Sequence, residues 1–314
     1  MNKETDLFKR FDSTDKNVFK YVFNFSDAIA ETVLYRYPSF EERTVICCSV
    51  QSGCPIGCKF CGSGGKFIRN LNSAEITSQI EKVLNDHNIN TSSIKKFQIM
   101  FMSMGEPLLN WTHLKQAIID LNAKYPNAQL LISTVAPKSA ADNWVALLDL
   151  SKRIEKIGVQ FSIHESTEEK RAELIPFKNK LSLKEIATLG HMFKITTGRR
   201  PFFNYCVHEN NSKNDDVKRL KKYFDPEVWE ATISVICEKD ESIKRSQERQ
   251  ENLLNKFYQL MQDENFSCRR FNPAGQDDIG GGCGQLWYVQ QWMKAHQSKK
   301  DTTTHQHLES KNND

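Results

Sequence analysis

TVICCSVQSGCPIGCKFCGSGGKFIRNLN, residues Thr44 to Asn72, carries five of the nine cysteines in this chain of 314 residues. Three of them, Cys54, Cys58 and Cys61, are spaced C-x3-C-x2-C. Three thiolates on one short loop can hold three corners of a cubane iron–sulfur cluster, leaving the fourth iron open to a small molecule. Zinc sites usually pair a C-x2-C with a second Cys or His pair further along, which this spacing does not reproduce. A zinc site or a disulfide framework is the plainer alternative for the triad alone. Gly53, Gly57, Gly62, Gly64 and Gly65 suit a tight loop around an inorganic cluster, where side chains would crowd it.

Working outward, the composition sets bounds. Apolar residues make up 39%, enough for a core, and no run of about 18 apolar residues marks a membrane span. The first residues, MNKETDLFKRFDSTDKN, are charged and carry no apolar signal core, so a soluble cytoplasmic protein is expected. An odd, clustered cysteine count without such a core fits a reducing compartment, which an iron–sulfur cluster needs. The formal charge of +4 permits a local basic patch for nucleic acid but does not demand one.

The stretch divides the chain. Residues 1–17 are polar and expected to be loosely held. Residues 18–43 include VFKYVFNFSDAIAETVLYRY, whose alternation predicts a β-hairpin. From Thr44 strand and helix alternate: TVICCSV, KFQIMFM, AQLLIST, GVQFSIH, RPFFNYCV and ATISVIC read as strands. Helices are predicted over Asn72–His87 and Trp111–Tyr125, over Ser139–Lys156 with Ser139 as N-cap, from Ser182 to about Phe193, and over Asp215–Phe224. Asn72 with Glu75 and Ser182 with Glu185 form capping boxes. Repeated βα units imply parallel strands with right-handed crossovers. Six units fall short of eight, so the fold class is α/β, a partial (β/α)6 TIM-like barrel. The hairpin precedes it and a strand, glycine-rich loop and helix close residues 44–295. Ser242–Glu264 reads as a charged helix, and 296–314 as a disordered polar tail. In such barrels the site lies at the C-terminal strand ends. The cysteine loop, Gly105-Glu106, Ser133 and Ser162–His164 all follow strands in this way.

CSVQSGCPIGCKFC, KFIRNLNSAEI, FMSMGEPLLN, ISTVAPK, FSIHES, LIPFKNK and DDIGGGCGQL occur in the same order as in the RlmN/Cfr family, which the chain resembles from about Lys20 to Leu286. That family comprises radical SAM methyl synthases acting on adenine in ribosomal RNA and, for some members, transfer RNA. The resemblance implies a 4Fe-4S cluster on Cys54, Cys58 and Cys61. It also implies S-adenosyl-L-methionine held by Gly105, Glu106, Ser133, Ser162, Ile163 and His164. His164 alone reads more simply as a structural hydrogen bonder. Cys283 matches the methyl-carrying cysteine, and Cys47 the partner that releases product by forming a disulfide, although Cys48 could substitute. Glu31 matches the proton acceptor; a surface glutamate in a hairpin is its plainer reading. Cys206 and Cys237 read as core residues.

By the same resemblance, Cys283 takes a methyl group from one S-adenosylmethionine. A 5′-deoxyadenosyl radical from a second removes a hydrogen from it, and the carbon radical adds to the adenine ring. The implied product is methylated at C2 or, by the same residues, at C8. Implied partners are ribosomal or transfer RNA and an electron donor such as a flavodoxin or ferredoxin; no membrane is implied, and oligomeric state is open. Two departures bear on this. Where the family has an asparagine after the sixth strand, this chain has Glu238 or Lys239. About twenty residues precede the hairpin, where the family carries a separate RNA-binding domain. Arg269 and Arg270 resemble a basic pair near the substrate. Two further readings stay open: the same chemistry on another RNA or nucleotide, and a non-catalytic iron–sulfur redox sensor.

Overall fold

The computed structural model describes residues 8–235, 243–271, 278–282, 285–286 and 288–295. Three antiparallel strands lead: β1 (Phe8–Asp12), β2 (Val18–Phe25) and β3 (Ala28–Arg36). The expected hairpin is β2–β3, in register from Val18↔Tyr35 to Phe25↔Ala28. The segment before it is not loose throughout. Two phenylalanines hidden among its charges build β1: Phe8 packs on Tyr21 and Phe23, with ring centroids 5.4 and 5.7 Å apart, and Phe11 packs on Tyr288. Burial of those rings outweighs the polar composition that suggested a tail.

The parallel strands follow. β4 (Arg43–Cys48) pairs antiparallel with β3 and parallel with its next neighbour. The short pair β5 (Gln51–Ser52) and β6 (Arg69–Asn70) brackets the cysteine loop. Next come α1 (Ser73–Asp86), β7 (Lys96–Phe101), α2 (Trp111–Lys124), β8 (Gln129–Thr134), α3 (Ala141–Arg153) and β9 (Ile157–Ser162). They are followed by α4 (Glu168–Leu174), α5 (Leu183–Thr197), β10 (Phe202–Val207), α6 (Asn214–Tyr223), β11 (Glu230–Val235), α7 (Ile243–Asp263) and β12 (Ser267–Phe271). The sheet order is β1-β2-β3-β4-β7-β8-β9-β10-β11-β12, parallel from β4 onward. It does not close on itself, which makes the expected partial barrel, with β12 as a seventh parallel strand at its free edge.

Both capping boxes are present: Asn72 and Glu75 start α1, and Ser182 and Glu185 start α5. Ser139 is not the N-cap of α3. It lies in a 3₁₀ turn, Lys138–Ala140, and α3 starts at Ala141 without a side-chain cap. The Lys138 N–H donates to the Asn179 carbonyl and Pro137 bridges to Lys180, so that segment is held as an extended contact first. α5 runs beyond Phe193 to Thr197 and ends at Gly198, whose φ of 72° is a left-handed C-cap. The unanticipated α4 is capped by Thr167.

Strand alternation divides the side chains between two environments. Ile46, Phe97, Ile99, Phe101, Leu130, Ile132, Val159, Phe161, Phe203, Tyr205 and Ile233 are buried in the main hydrophobic core. Their neighbours Arg43, Cys47, Lys96, Met100, Leu131, Gln160, Asn204, Thr232 and Arg269 line a cavity inside the barrel. The lumen is therefore mixed, with Val45, Met102 and Phe271 beside these polar groups, unlike the packed apolar layers of a closed eight-stranded barrel.

Candidate cluster and cofactor site

The loop between β5 and β6 is shaped by its own backbone. The Cys61 N–H donates to the Cys58 carbonyl and the Gly64 N–H to the Cys61 carbonyl, at 3.0 and 3.1 Å. The Lys59 N–H donates to the Leu174 carbonyl, tying the loop to α4. A side chain on Gly64 would put its Cβ 2.8 Å from the Cys58 carbonyl oxygen, so only glycine fits there. The loop also meets the C-terminal segment: the Ser63 hydroxyl donates to the Leu286 carbonyl, and Gln290 donates to the Gly62 carbonyl.

Cys54, Cys58 and Cys61 are half-buried and line one cavity of about 130 Å³. Gly105, Glu106, Ser133, Ser162 and His164 line the same cavity, from the C-terminal ends of β7, β8 and β9 or the loops after them. Ile163 does not reach it; it is buried in the core and its N–H donates to the Asn204 carbonyl. Sequence reasoning missed Asn204, which also lines the cavity and carries no local motif. Cys206 was read as core; it is buried, yet it borders the cavity.

None of the seven described cysteines is in a disulfide, so a disulfide framework is excluded among the described residues. A single zinc ion needs its ligands gathered around one point at bonds of about 2.0–2.3 Å. Among the described residues no three His, Cys, Asp or Glu side chains are so gathered. Three thiols spread round a cavity fit a polynuclear cluster better than a mononuclear ion. The glycine cradle agrees.

Gly105 has a φ of +100°, and a Cβ there would lie 2.6 Å from the Gln51 Cβ. This places backbone, not side chain, against the cavity. Glu106 is buried and fully engaged. Its carboxylate accepts from the Thr134 hydroxyl, from the Val135 N–H at 2.9 Å and from the Leu108 N–H at 3.1 Å. Burial nevertheless pushes its pKa from the ordinary 4.5 up to about 7. A carboxyl that holds its proton more tightly when folded stabilises the fold fully below pH 4.5, and that contribution is lost as pH rises towards 7. Cluster-free Glu106→Gln protein is therefore expected to lose about 3 kcal/mol less stability than the parent between pH 4.5 and 8, by urea unfolding. Equal pH slopes would show that the carboxyl titrates normally.

His164 is buried with φ 60°. Its Nδ1 accepts from the Cys206 N–H at 3.2 Å, and its ring lies edge-on to Phe60. Burial, then the Arg171 charge, push its pKa down to about 3, so it is neutral. Arg171, unremarked in sequence, is fully buried and donates to the Leu181, Val135 and Ser162 carbonyls. One side chain thus pins three loops at this end of the barrel.

Cys47 and Cys48 point to opposite sides of β4. Cys47 lines the lumen cavity, with its Sγ 4.0 Å from the Met100 Sδ, whereas Cys48 is sealed in the core. Burial pushes the Cys47 pKa up to about 12. Glu31 is not a surface residue; it is fully buried. Lys20 Nζ lies 2.9 Å from its Oε2, and the Tyr288 N–H donates to its Oε1. Lys20 also donates to the Gly280 carbonyl and the Tyr35 hydroxyl to the Gly281 carbonyl, so the hairpin clasps the glycine-rich loop. Cys283, Cys237, Glu238 and Lys239, and the proposed tail, lie outside the described residues. No helix among the described residues is long and apolar enough to cross a membrane.

No protein-family model matches the chain. A crystal structure of a radical SAM methyltransferase from Sphaerobacter thermophilus superposes with a TM-score of 0.73, covering 89% of this chain and 81% of that one at 22% identity. The fold is thus that of a radical SAM enzyme barrel. In sequence, a "probable dual-specificity RNA methyltransferase RlmN" of Finegoldia magna is 32% identical over 297 residues, covering 90% of this chain and 78% of its own length. Proteins of the same name from Clostridium botulinum strain Alaska E43 and Pseudothermotoga lettingae are 31% and 29% identical, covering 85% and 88% of this chain and 74% and 78% of theirs. The chain belongs to the RlmN family of radical SAM RNA methyltransferases.

Proposed function

We propose that this chain methylates a ring carbon of adenine in RNA, C2 first and C8 second, by way of a methyl group carried on Cys283. The observation that supports it is convergence: Cys54, Cys58, Cys61, Gly105, Glu106, Ser133, Ser162 and His164 surround one cavity that adjoins the cavity of Cys47. The family's 4Fe-4S cluster and S-adenosylmethionine fit that donor set. Cys54, Cys58 and Cys61 would hold three irons, and the cluster would supply the electron that opens radical chemistry on S-adenosylmethionine. The Gly105 backbone, Ser133 and Ser162 would position that ligand. Glu106 would shape the wall from which they act, since its carboxylate already serves Thr134, Val135 and Leu108.

Cys47 would attack a sulfur arriving from the lumen side, a reading supported by its lining that cavity while Cys48 is sealed in the core. Glu31, held beside Lys20 and against the segment flanking Cys283, would accept the adenine ring proton. Residues 44–295 would form the catalytic unit, with hairpin 18–43 clasping its C-terminal loop. Ribosomal or transfer RNA would be the substrate, and a flavodoxin or ferredoxin the electron donor.

The test is mass spectrometry of nucleosides from RNA incubated with reconstituted protein, reductant and S-adenosylmethionine. 2-Methyladenosine is expected, and Cys283→Ala should abolish it. 8-Methyladenosine would move the assignment to C8; neither product would overturn the reading. A second reading, the same chemistry on a free nucleotide, is favoured by the charged lumen.

A further inference from the structure

Arg171 carries its charge where the described residues offer it no acid to pair with. The side chain is wholly inaccessible, and its guanidinium donates to the Leu181, Val135 and Ser162 carbonyls at 2.7, 3.1 and 3.3 Å. Its Nε finds no acceptor among the described residues. Glu168, earlier on α4, acts on it through space only, and one oxygen of that carboxylate is taken by the Leu183 N–H. Burial pushes the Arg171 pKa down to about 10, against the upward pull of Glu168 and Cys58, so the guanidinium stays ionised near neutrality. Three carbonyls could be tied by neutral donors, whereas a buried charge without a partner is costly to keep.

That charge stands behind the wall of the cluster cavity. Val135 and Ser162, two of the residues whose carbonyls it holds, line the cavity. Val135 also belongs, with Ile56 and Ile175, to a small apolar cluster on which Cys54 and Cys58 pack. Val135 therefore links the guanidinium to the layer on which these sulfurs rest. A second cation lies nearby. Lys180 is half-buried, donates to the Phe177 carbonyl at 3.0 Å and has no ion pair among the described residues. Burial, then the Arg171 charge, push its pKa down, while Glu168 and Cys58 draw it up. Phe177 packs on the same apolar cluster as Cys58.

We propose that Arg171, with Lys180 as a weaker second, is the built-in counter-charge of the iron–sulfur cluster, a positioning charge behind the cavity wall that makes the cluster easier to reduce. The inference rests on the assignment of Cys54, Cys58 and Cys61 as ligands. A cluster on three thiolates is anionic, and an added electron makes it more so. The step concerned is one electron passed from a low-potential donor to the cluster, with no bond made or broken and no proton moved. A cation fixed in a low-dielectric wall favours the more negative form, and net charge near a cluster is one of the levers on its potential. Because Arg171 is buried, salt screens that effect little.

The test is a redox titration of the reconstituted full chain with dithionite, followed by electron paramagnetic resonance in the absence of S-adenosylmethionine. Arg171→Gln removes the charge and keeps an amide donor for the carbonyls. It should make reduction about tenfold less favourable, a midpoint about 59 mV lower for one electron. Arg171→Lys should restore most of that, and Lys180→Gln should give a smaller shift of the same sign. Lys178→Gln, at an exposed position, should leave the midpoint where it is. The sign separates charge from packing: a wall loosened enough to admit water would raise the midpoint, since water also favours the more charged form. An unchanged or raised midpoint in Arg171→Gln and Lys180→Gln overturns the inference. If Arg171→Gln holds no cluster, Lys180→Gln decides by the same criterion. A parent chain that takes up no iron would overturn the ligand assignment and this inference with it. A normal cluster in the parent with unshifted variants would remove only the role of Arg171 and Lys180.

Discussion

Cys58→Ala is expected to purify as a folded chain that retains less than about a tenth of the parent's iron after anaerobic reconstitution, since losing even an outer-shell partner weakens metal sites 10–100-fold. Cleavage of S-adenosylmethionine should fall to background with it. The loop does not depend on the cluster for its path. Its turns are closed by the Cys61 and Gly64 amides, it is anchored on the Leu174 carbonyl, and Ser63 and Gln290 tie it to the C-terminal segment. The substitution removes a half-buried sulfur without unpairing any of these bonds, so stability should change by about 1 kcal/mol at most. Iron content and thermal unfolding, measured on one preparation, separate ligand loss from misfolding. A Cys58→Ala protein that keeps its full iron would remove Cys58 from the ligand set and with it the reading of the triad.

The gathering of the triad round one cavity was legible because it is local: three thiols share one loop at fixed spacing, and the loop needs glycine where a Cβ would strike Cys58. The capping boxes at Asn72 and Ser182 were legible for the same reason, since donor and acceptor lie three residues apart. What depends on distant partners was not. Glu31 reads as a hairpin carboxylate until Lys20, eleven positions earlier, and Tyr288, far along the chain, close over it. Arg171 sits in the charged run TEEKRAEL, and only the fold shows it buried among three carbonyls. Period-two alternation told which strand residues share a face. It did not tell that one face would line a cavity, so Gln160, Asn204 and Lys96 carried no signal. β1 was lost because a strand's polar face and a polar tail have similar composition.

Lys20→Met is expected to destabilise the protein by about 3–5 kcal/mol near pH 8, the cost of leaving a buried charge without its partner. Lys20 and Glu31 are each almost wholly inaccessible, and Lys20 Nζ is 2.9 Å from the carboxylate. Burial already raises the Glu31 pKa, against the opposing pull of Lys20 and the Tyr288 N–H. Removing the ammonium raises it further, so the variant's deficit should be small well below pH 4.5, where Glu31 is protonated folded or unfolded. It should grow as pH rises towards the folded value, because the unfolded chain releases its proton first. Lys20→Met/Glu31→Gln should recover most of the loss, since the neutral amide can still accept from Tyr288 and strands no charge. A deficit independent of pH, or no recovery in the double variant, would mean that Lys20 acts through its stem packing and its bond to the Gly280 carbonyl instead. The same pair links fold to chemistry. A carboxylate must be ionised to take a ring proton, and in this apolar surround the neighbouring ammonium favours that form. RNA methylation by Lys20→Met should therefore fall by about 10²–10⁴, the range of a lost general base. Methyl loading of Cys283, which needs no ring proton removed, should persist. Loss of both together would place Lys20 in the clasp on the glycine loop and not in proton transfer.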